Sequence, residues 1–508
     1  MIATIPPLWR DVDAYNQLTR HPLISTFWGH APAYNYLAKI PLFLGEQWER
    51  WRGIVLSTPE NGSSQLTDTG VWLLIIAQHI ALCGAAFYFI RTVAASFWIR
   101  LVLALIWASN ALFYTFAHCV GSETLGVILM VVIVAKGLRL VRSHREPGWV
   151  EWYVFSIGLC LCLLSRHVNA LLILLLPAAF LLSWGQTRAS SRSGTGDRQR
   201  RWRRRIGSRY LRRALIAIGI GIACWTIANS LTHALARKTP FHPHSRIGYT
   251  FLWRLQFLNT LPPAQRVSLL EKVRDRTHSH EARQLVILLG QMYEEEAATV
   301  ASSFNQRATR LLFPSAPIPP WEKLDMALNQ MAMAFLLPPP PELWHAAKAD
   351  FIAASHMSPT EIGDLLFETT AYFFEHKDEM SACAGLVTFR DADAETINRI
   401  PAQHFYFYLW RGLTFNKALV IWLGGLLLLI FIRRRKKGNV MAIAAFGIAL
   451  VVIGLLMVAA ACLLSESLPR YTLPMWQLLL LSIYIFAGRL GDLIKNGSPP
   501  GSHCRAEP

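Results

Sequence analysis

The chain of 508 residues carries a formal net charge of +18, and 53% of its residues are hydrophobic. Its mean hydropathy is positive (+0.31) and several apolar runs approach or exceed the ~18 residues that cross a bilayer, which is typical of a polytopic membrane protein and not of a soluble globular one. In such a protein the basic excess reflects Lys and Arg retained on the cytoplasmic side, so we expect no nucleic-acid partner.

Residues 1–69 contain no run long enough to span a bilayer, and they hold two carboxylates close together, Asp11 and Asp13. We predict an outer loop with juxtamembrane helices, in which these carboxylates form the acid/base end of an active site. Asp11 could instead cap a short helix beginning at Val12, and Asp13 could be favoured by the N-terminus of that helix. Residues two apart on a helix face differently, so at most one of the two is central.

Nine apolar segments follow this region, and they predict an all-α polytopic membrane protein with about nine transmembrane helices in this chain. We place these helices within residues 70–185, 214–233 and 406–490. The apolar segments are 71–90, 101–117, 121–138, 150–165, 168–184, 214–232, 414–432, 440–463 and 473–488.

Two basic clusters set the predicted orientation. Eleven arginines fall between Arg188 and Arg213, and residues 433–437 form a second cluster. Moving Arg to mid-membrane costs roughly 2.5–3.5 kcal/mol each, so we predict a cytoplasmic loop at 186–213 and a cytoplasmic tail at 491–508. Residues 1–69 and 234–405 are then outside. Because no span precedes the first 69 residues, we expect either one upstream helix, giving ten in the full protein, or an unaided translocation of the tail.

The long outer segment, 234–405, has apolar residues at helical spacing, and we predict a mostly helical periplasmic domain there. The predicted helical stretches are interrupted by Pro-rich pieces at 314–320 and 338–341. Ser358, Pro359 and Glu361 have the spacing of a capping box with Pro at the first helical position. The helical stretches are 264–275, 281–300, 322–336 and 359–376.

Ionisable or polar residues also occur in three predicted turns at the outer ends of the helices. Such residues at membrane depth are more often functional than those in soluble loops. They are His118 and Glu123, Arg166 and His167, and Arg470 and Tyr471.

Each of these residues also has a structural interpretation. Glu123 could be a first-turn helix acid that follows a Ser122 cap. Arg166 and Arg470 could extend to lipid phosphates without taking part in chemistry. The two histidines, His118 and His167, could pack at the interface.

These features together resemble the GT-C membrane glycosyltransferases, a superfamily that includes protein O-mannosyltransferases and lipid A aminoarabinose transferases. The resemblance rests on an acidic Asp-x-Tyr context early in the chain, an acid that opens a later helix, a large outer loop, and a turn before the last span. The residues that carry it are Asp13-Ala14-Tyr15, Glu123, and Pro469-Arg470-Tyr471-Thr472-Leu473-Pro474.

The resemblance implies transfer of a sugar from a polyprenyl-phosphate donor to an acceptor glycan, lipid or protein outside the membrane. Asp13, or else Asp11, would be the general base for the acceptor hydroxyl. Arg470, with Tyr471 and then Arg166, would bind the lipid phosphate. Glu123 and His167 would orient the acceptor or a metal; Mg²⁺ or Mn²⁺ is an optional cofactor.

Two other functions remain open. A lipid-linked glycan polymerase or ligase would also use a large outer loop and an outer Arg, but it needs no acidic base near the start. A transporter or flippase would place polar groups near the bilayer midplane and show an internal repeat. We expect a bacterial inner (cytoplasmic) membrane with the site facing the periplasm, although an ER membrane would give the same topology.

Overall fold

The structure is a computed structural model, and it describes most of the chain outside the two termini. The described residues are 6–9, 32–54, 66–143, 145–192, 197–236, 247–295, 300–315, 320–377, 386, 401–433, 440–465 and 469–495.

Helices dominate the described part of the chain, and two strands of two residues each, β1 (Leu8–Trp9) and β2 (Cys119–Val120), accompany them. Three 3₁₀ helices cover His167–Leu174, Leu255–Thr260 and Pro469–Thr472. The α-helices are α1 (Pro32–Trp51), α2 (Asp68–Val93), α3 (Phe97–Ala108), α4 (Ala111–Ala117), α5 (Ser122–Arg142), α6 (Trp149–Leu163), α7 (Leu175–Arg192), α8 (Asp197–Ala236), α9 (Ile247–Arg254), α10 (Pro263–Arg276), α11 (His280–Glu295), α12 (Val300–Leu312), α13 (Trp321–Leu336), α14 (Pro341–His356), α15 (Pro359–Glu375), α16 (Pro401–Arg411), α17 (Phe415–Arg433), α18 (Val440–Leu464) and α19 (Leu473–Lys495).

The prediction of an all-α polytopic membrane protein is confirmed at the level of class. Among the described residues, seven helical segments are long and apolar enough to cross a bilayer, and the bent pair α3–α4 would make an eighth. Helix α6 is apolar but has only 15 residues. The count of about nine spans, the membrane and the orientation therefore stay predictions. The seven segments are α2, α5, the first 3₁₀ helix with α7, α8, α17, α18 and α19.

The segment 101–117, which the sequence predicts as a single span, is bent in the structure. Helices α3 and α4 meet at an angle of 62°. Ser109 ends α3 because its Oγ donates back to the carbonyl of Ile106 (2.8 Å), and Asn110 follows in an extended conformation. Polar side chains that bond to nearby backbone compete with helical hydrogen bonds, which gives a physical reason for the break.

Close helix contacts rely on glycine at several crossings. A Cβ on Gly45 of α1 would lie 2.2 Å from the Cα of Gly70 in α2, so these two backbones touch. Gly447 of α18 similarly accommodates the ring of Phe486 from α19, which is 2.4 Å from where its Cβ would be. Helices approach this closely where small residues lie at the crossing, as is common in membrane bundles.

The helices between Ile247 and Glu375 divide between two hydrophobic cores. Residues from Phe251 to Leu343 form a core of their own, which involves α9 to α13 and the start of α14. Helix α15 instead joins the core of the membrane helices through residues such as Leu366 and Phe373. Its N-terminus has the predicted capping box, in which the Ser358 hydroxyl accepts from Glu361 N and the Glu361 carboxylate accepts from Ser358 N. The capping box is confirmed, and helices cover three of the four predicted stretches to within one residue. The fourth, 281–300, is helical over His280–Glu295, and residues 296–299 lie outside the described ones.

Candidate active site around a parallel strand pair

A short parallel strand pair joins the N-terminal region to the segment before α5. Leu8 is opposite Cys119 and Trp9 is opposite Val120, and Leu8 N donates to the carbonyl of His118 (3.0 Å). Trp9 N donates to the Thr370 hydroxyl of α15 (2.9 Å). Each strand precedes a predicted site segment in the sequence, since Asp11 and Asp13 follow β1 and Glu123 follows β2.

Helix α2 contributes a buried amide that fixes the same strand. Gln78 Nε2 donates to the carbonyls of Ala117 (3.0 Å) and Cys119 (3.1 Å), and Gln78 Oε1 accepts from the Tyr34 hydroxyl (3.2 Å). The Tyr34 oxygen in turn accepts from Gly121 N (3.0 Å). Sequence reasoning missed Gln78 and Tyr34. A glutamine near the middle of a largely apolar 26-residue helix was the available signal, because polar residues at membrane depth are costly unless they are used.

Glu123 and Arg166, which come from two different predicted turns, form a buried ion pair. Arg166 Nη2 lies 3.3 Å from Glu123 Oε1, and the two side chains are 13% and 2% exposed. Gly126 packs beside the arginine, where a Cβ would be 3.4 Å from Arg166 Cδ, an ordinary contact distance. The turn before Arg166 is itself held by Asn169, whose Nδ2 donates to the carbonyl of Cys162 (3.0 Å). Buried charges of this kind are stable only when paired.

The two histidines of the predicted turns have different surroundings. His118 is fully buried, and its Nδ1 lies 3.2 Å from Nε2 of His79 in α2, so one ring donates to the other. His79 also stacks on Tyr114, with ring centroids 6.1 Å apart. His167 is exposed at the start of the 3₁₀ helix that follows Arg166. The position of His118 directly before β2 makes it part of the support of the strand pair.

The predicted phosphate-binding turn is a 3₁₀ helix, Pro469–Thr472, which contacts α15 and leads into α19. Helix α15 also contacts β1, so one helix touches both the N-terminal strand and this turn. Near the start of α19, Gln477 Nε2 donates to the carbonyl of Val127 in α5 (2.7 Å). The backbone of Arg470 lies in the 3₁₀ helix, but its side chain is outside the part that the structure describes. Tyr471 is partly buried.

Asp11 and Asp13 lie outside the described residues, so their predicted roles stay predictions. Within the described ranges, no three His, Cys, Asp or Glu side chains are grouped closely enough to hold a metal ion. The Glu123 carboxylate is paired with Arg166, and any cation would need oxygen ligands from elsewhere. The dependence on Mg²⁺ or Mn²⁺ is therefore still a prediction.

No protein-family model, no curated protein and no solved structure matches this chain.

Proposed function

We propose that the protein is an integral membrane glycosyltransferase of the GT-C type, which moves a sugar from a polyprenyl-phosphate donor to an acceptor hydroxyl on the outer side of the membrane. The observation that carries this proposal is the parallel pairing of β1 with β2. It links the chain just before Asp11 and Asp13 to the chain just before Glu123. Such convergence is what a site with an early acidic base requires.

Covalent geometry strengthens this support. A chain spans at most about 3.3–3.6 Å per residue, so the Cα atoms of Asp11 and Asp13 lie within roughly 7 Å and 14 Å of the Trp9 Cα. Trp9 is opposite Val120, three residues before Glu123. A sugar donor bound beside Val120 and the start of α5 would therefore be close to the segment that carries both carboxylates.

In the proposed reaction, the acceptor hydroxyl attacks the anomeric carbon of the donor sugar. An oxygen–carbon bond forms to the acceptor, the bond from that carbon to the lipid phosphate breaks, and the hydroxyl proton passes to Asp13 or Asp11. The leaving phosphate gains negative charge, which a fixed guanidinium stabilises. Arg470, beside Tyr471 in the 3₁₀ turn, would supply it.

The ion pair changes the expected role of the second arginine. Glu123 holds Arg166 in one orientation, which favours a fixed guanidinium over one that extends to lipid headgroups. A guanidinium has five N–H donors, so an arginine can contact an anion while it remains paired with a carboxylate. Glu123 would then act as a positioning residue for Arg166.

The experiment is transfer of radiolabelled sugar in membranes that contain the full chain. The donors would be polyprenyl phosphates that carry mannose or glucose. The variants tested would be Asp13→Asn and Arg470→Ala. Asp275→Asn, which alters an exposed carboxylate of α10, is the matched control. We expect transfer by the wild type and by the control, and at least a hundredfold loss in both site variants at equal expression. Full activity of Asp13→Asn would move the base to Asp11, and no transfer by the wild type would contradict the proposal.

One observation favours a second candidate, a transporter or flippase. The bend between α3 and α4 occurs within a predicted span, and broken helices at membrane depth form the substrate sites of many transporters. Movement of a labelled polyprenyl-phosphate sugar across vesicle membranes, without any acceptor and without transfer, would favour this candidate over the glycosyltransferase.

A further inference from the structure

The first turn of α1 contains a polar side chain that packing does not explain. Asn35 is 2% exposed, yet neither Nδ2 nor Oδ1 has a hydrogen-bond partner in the described part of the chain. It precedes Ala38 and Leu42 by three and seven residues, which places it on the buried face of α1 that packs against α2. A leucine would suit such a position without burying unpaired polar atoms.

An unpaired amide in this environment is costly. Leaving a buried donor or acceptor unsatisfied costs about 1–3 kcal/mol, and the great majority of buried polar groups in proteins are paired. Local violations of this kind are expected mainly at functional sites, where the partner is a ligand. The Asn35 amide thus points to a ligand that supplies both a donor and an acceptor.

Asn35 is fixed beside the candidate active site by its two preceding residues. The Tyr34 hydroxyl accepts from Gly121 N, two residues before Glu123. Ala33 N donates to the carbonyl of Leu164 (2.8 Å), two residues before Arg166. The Cα of Asn35 is about 3.8 Å from that of Tyr34, so Asn35 lies in the helical turn whose neighbouring residues contact both of these segments.

We infer that the Asn35 side chain binds hydroxyl groups of the donor sugar, an inference that rests on the proposed function. A carboxamide has two N–H donors and one carbonyl acceptor, and a sugar hydroxyl both donates and accepts. A phosphate oxygen only accepts and would leave Oδ1 unpaired. Asn35 is therefore a residue for sugar recognition, separate from the charged groups that bind the phosphate.

The test compares binding of three probes to the purified full chain in lipid nanodiscs: polyprenyl phosphate with mannose, with glucose, and without a sugar. In Asn35→Leu, affinity for the preferred sugar-bearing lipid should fall about ten- to hundredfold, the effect of losing a buried hydrogen-bonded pair. Affinity for the bare lipid should not change. The midpoint of thermal unfolding should equal or exceed that of the wild type, because an unpaired buried amide has been removed. Asn35→Ala gives the same comparison if leucine does not fit.

Two other asparagines provide matched controls. Asn110 is fully buried and its amide atoms also have no partner among the described residues, but it lies at the α3–α4 bend. Asn110→Leu should leave the binding of all three probes unchanged. Asn169 is buried and hydrogen-bonded, so Asn169→Leu should lower the unfolding midpoint.

Each outcome separates the inference from the proposed function. If the wild type binds neither sugar-bearing lipid more tightly than the bare lipid, the proposed function is contradicted. If the wild type discriminates and both Asn35 variants discriminate equally well, the role of Asn35 alone is overturned. An equal loss of affinity for all three probes, or a fall in midpoint like that of Asn169→Leu, would also overturn it, because either result assigns Asn35 to the phosphate or to the scaffold.

Discussion

Removing both members of the Glu123–Arg166 pair should destabilise the protein less than the two single removals do in sum. The two charges are 3.3 Å apart, which corresponds to an attraction of about 5 kcal/mol at an effective dielectric constant of about 20. Desolvation offsets much of this attraction, but a single deletion removes this partner while the other charge stays in its buried position. Because Arg166 is still 13% exposed, we expect Glu123→Gln to cost about 3 kcal/mol, at the lower end of the range for such changes.

The double variant distinguishes an ion pair from two independent contacts. In Glu123→Gln/Arg166→Gln the two opposite charges are removed together, so we expect it to be at least 1 kcal/mol more stable than the sum of the two single variants predicts. The measurement is unfolding of the purified protein in mixed micelles by SDS titration, followed by circular dichroism. Additive losses would refute the interaction. Sugar transfer should stay low in the stable double variant, because the guanidinium that the pair positions is gone.

Three further changes follow from the geometry. Gly45→Ala places a Cβ 2.2 Å from Gly70 and should lower the unfolding free energy by about 1–3 kcal/mol. Gly84→Ala, where no atom lies within 4 Å of the added Cβ, should leave the unfolding free energy unchanged. Thermal unfolding compares the two variants. Burial lowers the pKa of the Lys39 ammonium, so between that lowered pKa and about 10.4 the unfolded chain binds more protons than the folded chain. The free energy of unfolding should therefore rise with pH in this range. A rise of the same size in Lys39→Met would contradict this. Arg254→Met breaks a buried contact with Asp350 and the Ser465 carbonyl, and it should lower the free energy of unfolding by about 2–3 kcal/mol. The control Arg307→Met, at an exposed ion pair, should lower it by less than about 1 kcal/mol. Chemical unfolding curves measure both.

Much of the helical framework could be predicted because its causes are local. Apolar runs of membrane length predict spans wherever they occur, and the Ser358 capping box is a contact between residues three apart. The bend after Ser109 was missed because a hydropathy average does not register one hydroxyl that bonds back to its own helix. Helix α14 was also missed, since the Pro-rich piece before it suggested a loop and not the N-terminus of a helix.

The candidate site shows the limit of local reasoning. Sequence alone determined which residue types stand at the outer ends of the predicted spans, including Glu123 and Arg166. Their pairing depends on how α5 and the turn after α6 approach each other across 43 positions of chain, and the hydrophobic pattern of either segment carries no information on that distance. Likewise, only the tertiary structure decided that β1 pairs with β2, since two-residue strands have no periodicity to detect and their register is set by the helices packed around them.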